Sequence, residues 1–200
     1  MNPPMKARAE QLVRVALTTT KGRIVLDLDR GRAPVTTANF LHWIDSGRFN
    51  GIGFYRAMKS GPGGLIQGGI TDGARKLFPA IRHEPTSLTG LKNVAGAIAM
   101  ANGGPGTTHS DFFIMTSDFP SLDATATATD PGFAAFGHVV EGMDVARAIL
   151  AAPVSPTKGV RREERADARA DGEDHQGRTG QVSRVRERLT SQRSRTQACF

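Results

Sequence analysis

One cysteine, Cys199, stands among the 200 residues, so neither an internal disulfide nor a multi-cysteine metal site can form. The five histidines are scattered, with no H-E-x-x-H or other close ligand pair, and they give no zinc signal. No cofactor of any kind is expected. No run of about 18 apolar residues occurs, which leaves no helical membrane span to expect. The N-terminal stretch MNPPMKARAEQLVRVALTTT carries Arg14 inside its apolar part. A secretory leader needs an unbroken apolar core, so the expected compartment is the cytoplasm. The glycine-rich loops GPGG (61–64) and GGPG (103–106) complete no G-x-G-x-x-G, and neither is followed by Lys-Ser/Thr. Nucleotide binding is therefore not expected.

The chain has a formal net charge of +7, which raises the question of a nucleic-acid partner. Residues 1–160 carry 16 Lys+Arg against 12 Asp+Glu, and residues 161–200 carry 10 against 7. The excess is spread thinly and forms no basic block or aromatic-interleaved stripe. Neither a nucleic-acid nor a membrane partner is expected. No heptad repeat or long apolar patch calls for a second copy, so a monomer is expected.

With 38% hydrophobic residues, 23 Gly and 11 Pro, the chain should fold into a turn-rich, mainly β domain with some helix. Its character changes near Gly159. Over residues 161–200 Val182, Val185, Leu189 and Phe200 are the only large apolar residues, and disorder is expected because so little surface can be buried. Residues 161–171 and 184–189 have the composition of transient helices. The tail holds ten Arg and no Lys, whereas the body holds ten Arg and six Lys. That shift suggests translation from another reading frame, which sequencing the gene would test. The organisation read here is an extension over 1–12, a folded domain over 13–159 and a divergent tail over 160–200.

Within the body, Leu12–Thr19 and Gly22–Asp29 alternate apolar and polar residues around Lys21-Gly22, the pattern of a hairpin. Pro34 suits the first turn of a helix. The helix predicted after it shows Val35, Phe40, Leu41 and Ile44 on one face and stops at Gly47. A strand is predicted around Ile52–Met58, then a Gly/Pro loop over Ser60–Gly64. Further strands are predicted at LIQGGI, GAIAMA (96–101), FFIMT (112–116) and FAAFGHVV (133–140). A second helix starts at Glu141 and ends before Pro153. Short antiparallel strands with a helix near each end pack most economically as a closed or nearly closed barrel.

Three segments stand out: FYRAMKSGPGGLIQGGI (54–70), AMANGGPGTTHSDFFIM (99–115) and SLDATATATDPGFAAFGHVVEGMDV (121–145). Together they resemble the cyclophilin family of peptidyl-prolyl cis-trans isomerases. Their order and spacing agree with the family from about Val13 to Gly159. The resemblance implies an eight-stranded antiparallel barrel capped by two helices. It also implies an enzyme that rotates X-Pro bonds in unfolded or flexible polypeptides as a folding helper.

Such rotation crosses a barrier of about 20 kcal/mol, because the amide must give up its resonance. It needs no metal or organic cofactor. It needs a slot for the proline ring and a donor aimed at the charge that twisting localises. By the resemblance, Arg56 is the cation and Gln67 orients it. Ala101 and Asn102 receive the peptide around the proline. Leu65, Phe113, Leu122 and Phe133 line the slot. Taken alone, Arg56 would be a surface side chain and the apolar residues ordinary core. Phe112 and Phe113 must point to opposite faces of their strand, so one can fill the barrel while the other lines the groove.

The chain also departs from the family pattern. Asp111 replaces the usual Gln before Phe-Phe and would place negative charge near Arg56, either pairing with it or competing with a substrate carbonyl. Gly64 replaces a frequent Phe, and Phe133 replaces a frequent His, making the slot drier but removing a donor. Ser121 replaces a frequent Trp, so tight binding of the cyclosporin class is not expected. After Gly159 nothing alternates for even five residues. The barrel's last strand is therefore either missing or poorly supplied by VSRVRERL (182–189), and marginal stability is expected. A second reading from another class is a proline-peptide binding module or holdase with weakened turnover.

Overall fold

The computed structural model describes residues 11–71, 77–125 and 130–153, together with the backbone of Val182–Arg184. Eight strands pair antiparallel throughout: β1 (Leu12–Thr19), β2 (Gly22–Asp29), β3 (Phe54–Ser60), β4 (Gly63–Gly68), β5 (Ala97–Met100), β6 (Phe112–Met115), β7 (Ala134–Glu141) and β8 (Val182–Arg184). Their spatial order is β3-β4-β6-β5-β7-β2-β1-β8. The terminal strands β3 and β8 are not hydrogen-bonded to each other, so the sheet curls without closing its ladder. Helix α1 (Pro34–Asp45) packs on β2 and β7, and α3 (Met143–Ala151) spans β2, β3 and β4. Between them lies α2 (Thr86–Thr89), a single turn. None of the described helices is long and apolar enough to cross a membrane.

Strand alternation sorts the side chains into two apolar clusters. One is the barrel interior, where Val15, Leu17, Ile24, Leu26, Leu28, Ile66, Ile98, Met100, Phe112, Ile114 and Phe136 from six strands meet Phe40, Trp43 and Ile44 of α1 and Ile149 of α3. The other covers the outer face of β4, β6, β5 and β7 and contains Leu65, Ala97, Ala99, Phe113, Met115, Phe119 and Ala135. An outer sheet face lined by apolar residues is what a groove for an apolar ligand requires.

Several sequence expectations need correction. The predicted Ser60–Gly64 loop is a two-residue turn, Gly61-Pro62, between paired Ser60 and Gly63. Gly61 sits at φ 56°, where glycine is at ease at the first turn position. Strand β3 accordingly starts at Phe54 and runs on to Ser60. The same pairing explains Gly64, because a Cβ there would lie 2.0 Å from the Met58 carbonyl oxygen. On α1, Val35 is only half-buried, while Thr36, Thr37, Asn39 and Trp43 join Phe40, Leu41 and Ile44 in burial. Helix α3 begins at Met143, two residues later than expected. Of the two outcomes expected for the last strand, a missing one and a poor substitute from VSRVRERL, the structure has the second: β8 pairs along β1, with Leu17 opposite Val182 and Val15 opposite Arg184. That strand is three residues long and corrects the disorder expected at those positions. The rest of the 160–200 tail, the 1–10 segment and the Gly159 boundary lie outside the described residues.

Helix α1 shows how tertiary structure completes what local sequence leaves open. Its N-cap residue, Ala33, has no side chain able to cap, although Pro34 fits the first turn. The missing acceptor comes from Glu84, whose Oε2 receives the Thr36 backbone N–H at 2.8 Å and the Thr36 hydroxyl at 2.9 Å. At the other side of the helix, Asn39 Nδ2 and Trp43 Nε1 donate to the His109 carbonyl at 2.8 and 3.0 Å. These bonds anchor the segment that leads into Asp111 and β6.

Candidate active site

The site is built on one cross-strand row. Arg56 of β3 pairs with Gln67 of β4, Gln67 with Phe113 of β6, Phe113 with Ala99 of β5, and Ala99 with Ala135 of β7. Side chains in one row of a sheet stand on one face. The row therefore places a cation, an amide and an aromatic ring in succession beside two alanines too small to fill the surface above them. Leu65 and Met115 form the next row of the same face, with Met58.

The register of β3 shifts between Phe54 and Arg56, so Tyr55 is a bulge residue. In regular alternation Tyr55 would point away from Arg56. The bulge re-aims it, and both side chains reach Gln67. Arg56 Nη1 donates to Gln67 Oε1 at 3.2 Å, and Nη2 lies 3.6 Å from the Met58 sulfur. Gln67 Nε2 donates to the Tyr55 hydroxyl at 2.5 Å, and that hydroxyl donates to Asp111 Oδ1 at 2.5 Å. The Arg56 Nε–H has no partner among the described residues, and no carboxylate pairs with the guanidinium there. Most of the five Arg56 donors are thus uncommitted among the described residues.

Asp111 does not pair with Arg56, so the ion pair expected as one of its two fates does not form. Its carboxylate is bound by Tyr55 and lies 3.5 Å from the Ser110 hydroxyl. Burial pushes its pKa above the usual carboxylate value, opposed by the bonds from Tyr55 and Ser110. Burial, and then the adjoining Asp111, push the Tyr55 phenol well above its ordinary value, so it stays protonated and able to donate.

Phe112 and Phe113 divide as the alternation predicts. Phe112 turns inward against Phe40, Phe49 and Phe54. Phe113 turns outward and meets Phe133 edge-on, with centroids 5.3 Å apart at 79°. Leu65 belongs to the same outer cluster, and Ala101, Leu122 and Phe133 pack against it. Ala101 donates its N–H to the Asp111 carbonyl at 2.8 Å, so that N–H is already engaged. Asn102 accepts the Gly104 N–H through Oδ1 at 3.0 Å, which turns the chain. Ser121 is exposed on the turn Pro120–Leu122.

Residue-by-residue reading of the sequence misses Tyr55, Met58 and Asn93. Fully buried Asn93 donates Nδ2 to the Leu122 and Phe133 carbonyls at 3.0 and 3.3 Å and to Asp123 Oδ1 at 2.9 Å. It thereby staples together the two segments that carry Leu122 and Phe133. A polar residue between two apolar stretches was the only available signal for Asn93. For Tyr55 the signal was its place beside the candidate cation, but strand alternation argued against it.

Comparison with known proteins adds an independent line. The family described as cyclophilin type peptidyl-prolyl cis-trans isomerase/CLD matches residues 14–167. Peptidyl-prolyl cis-trans isomerase A of Dickeya dadantii is 40% identical over 136 residues, covering 66% of this chain and 68% of that protein. A peptidyl-prolyl cis-trans isomerase of Acinetobacter baylyi is 36% identical over 145 residues, covering 70% and 73%. One from Streptomyces antibioticus is 34% identical over 148 residues, covering 72% and 87%. A crystal structure of a Cryptosporidium parvum cyclophilin type isomerase superimposes with a TM-score of 0.67 at 20% identity, over 89% of this chain and 100% of that one. A structure of the same protein in the presence of the dipeptide Ala-Pro gives 0.65 at 20% identity, over 87% and 99%.

Proposed function

This chain belongs to the cyclophilin-type peptidyl-prolyl cis-trans isomerases and has their activity, and from that premise we propose that the Arg56–Gln67–Phe113 row is where it rotates the X-Pro bond. A prolyl ring seated against Phe113, Leu65, Leu122 and Phe133 puts its imide nitrogen toward the guanidinium. In the planar ground state the nitrogen lone pair is delocalised and the cation gains little from it. As the bond twists, the pair localises on nitrogen, and a held guanidinium stabilises that state selectively. Gln67 fixes where the guanidinium sits, so little reorganisation is needed at the moment of rotation. The observation that carries the reading is the single register row that joins the cation to the apolar face.

Proline-containing peptides are the substrate class, in keeping with the Cryptosporidium structure obtained in the presence of the dipeptide Ala-Pro. Cytoplasmic residence, monomeric action and assistance to folding chains are part of the same proposal. The binding-module reading is not favoured, because the relatives are isomerases.

The test is catalysed isomerisation of a short Ala-Pro peptide by the full chain. Arg56→Ala is expected to lower kcat/KM by about a hundredfold, the scale seen when one aligned electrostatic donor is removed. Peptide binding should fall far less. Unchanged turnover in a folded Arg56→Ala variant would move the active site elsewhere.

A further inference from the structure

We propose that Tyr55 and Asp111 are positioning residues for Arg56, acting through Gln67 along a hydrogen-bonded chain of one fixed direction. The proposal rests on Arg56 being the cation of the isomerase site.

The direction follows from donor counting. A guanidinium can only donate, and an ionised carboxylate can only accept. Between them lie one amide and one phenol. The phenol has a single proton, and against Asp111 Oδ1 it must give that proton away. Its oxygen is then left to accept, and the group within reach is Gln67 Nε2. With its NH2 held there, the amide cannot flip, and Oε1 faces Arg56 Nη1. Every hydrogen in the chain points from the cation toward the anion. The reversed amide would set NH2 against the guanidinium, two donors face to face. Without Tyr55 and Asp111, only Arg56 itself would oppose that flip.

Three further features make this a built arrangement. The bulge at Tyr55 is what brings the phenol to Gln67's side. Gly69, next after β4, leaves the space that Asp111 occupies, since a Cβ there would lie 2.5 Å from Asp111 Oδ1. The carboxylate is placed from outside as well, through the His109 carbonyl held by Asn39 and Trp43 of α1. The groups facing Asp111 are the Tyr55 phenol from β3, the Ser110 hydroxyl and the His109 imidazole from its own segment. Arg56 acts on the phenol, and Gly69 adds no charge.

When Asp111 takes up a proton it gains a donor of its own, and the direction of the chain is no longer imposed. The organised form therefore exists above the Asp111 pKa and is lost as pH falls through it. Wild-type kcat is expected to show an acid limb at that pKa with KM nearly flat. Tyr55→Phe should lower kcat by about tenfold and abolish the limb. Asp111→Asn, which keeps an acceptor of the same shape, should lower kcat by about threefold and also abolish the limb. His109→Gln should keep the limb, which separates the imidazole from the carboxylate. Thermal unfolding checks that each variant is folded. Should Tyr55→Phe fail to fold, wild-type protein still decides, because the Gln67 side-chain nitrogen resonance must shift with the protonation of Asp111. Wild-type kcat and an unchanged acid limb in both variants, or a Gln67 resonance indifferent to pH, would overturn the proposal. If Arg56→Ala itself left turnover intact, the active-site reading would fail instead.

Discussion

Phe112 and Phe113 are adjacent and chemically identical, yet the sheet gives them different work. Phe112 is inside the barrel among Phe40, Phe49 and Phe54, and Phe113 is outside against Phe133. Shrinking each to Leu separates the two roles. Phe113→Leu is expected to raise KM for an Ala-Pro peptide several-fold with kcat little changed, because an apolar contact holds planar and twisted prolines alike. Phe112→Leu should leave KM alone and cost about 1 kcal/mol of stability, read from the denaturation midpoint. An equal effect of both on KM would mean that the outer cluster is not the slot. This division was legible in the sequence, since period-two alternation suffices for it. The partner of Asp111 was not. Charge alone pointed to Arg56, whereas burial and the bulge at Tyr55 gave the carboxylate a phenol.

At the level of elements, α1 carries the clearest gap between local and global information. Pro34 and Gly47 mark its ends in the sequence, and Gly47 does follow the last turn at φ 70°. Nothing near Ala33 can cap it. Glu84, 48 positions later, supplies the acceptor for Thr36. Glu84→Ala would leave the buried Thr36 N–H and hydroxyl unpaired at a helix start, and a loss of about 1–3 kcal/mol is expected in chemical denaturation. Glu84→Gln keeps one acceptor and should lose less. Equal stability of Glu84→Ala and wild type would deny the cap its role. The hairpin β3–β4 shows the opposite case. Its turn was signalled by Gly61-Pro62, but the glycines that follow read as loop because only the pairing reveals that Gly63 and Gly64 continue a strand.

For the whole molecule, the strand order places the site on β3–β7 and the chain's last described strand, β8, at the far end beside β1. Deleting residues 181–200 would return the β1 edge to solvent. Each ladder bond lost costs on the order of 1 kcal/mol, so a lower melting temperature and faster amide exchange over Val15–Leu17 are expected. Turnover of a short prolyl peptide should persist at temperatures where the truncated chain stays folded. Unaltered exchange in that segment would show that β8 contributes nothing to the sheet. The sequence by itself determined the strand periodicity, the inward and outward sets of side chains and the family, because these depend on alternation and on motifs of fixed spacing. Only the tertiary structure decided that a bulge turns Tyr55 toward Gln67, that Asp111 binds a phenol rather than a guanidinium, that Glu84 caps a helix from afar and that three residues of the tail cover β1. Each of these joins groups far apart in the chain, and their partnership is set by register and burial, which no local pattern records.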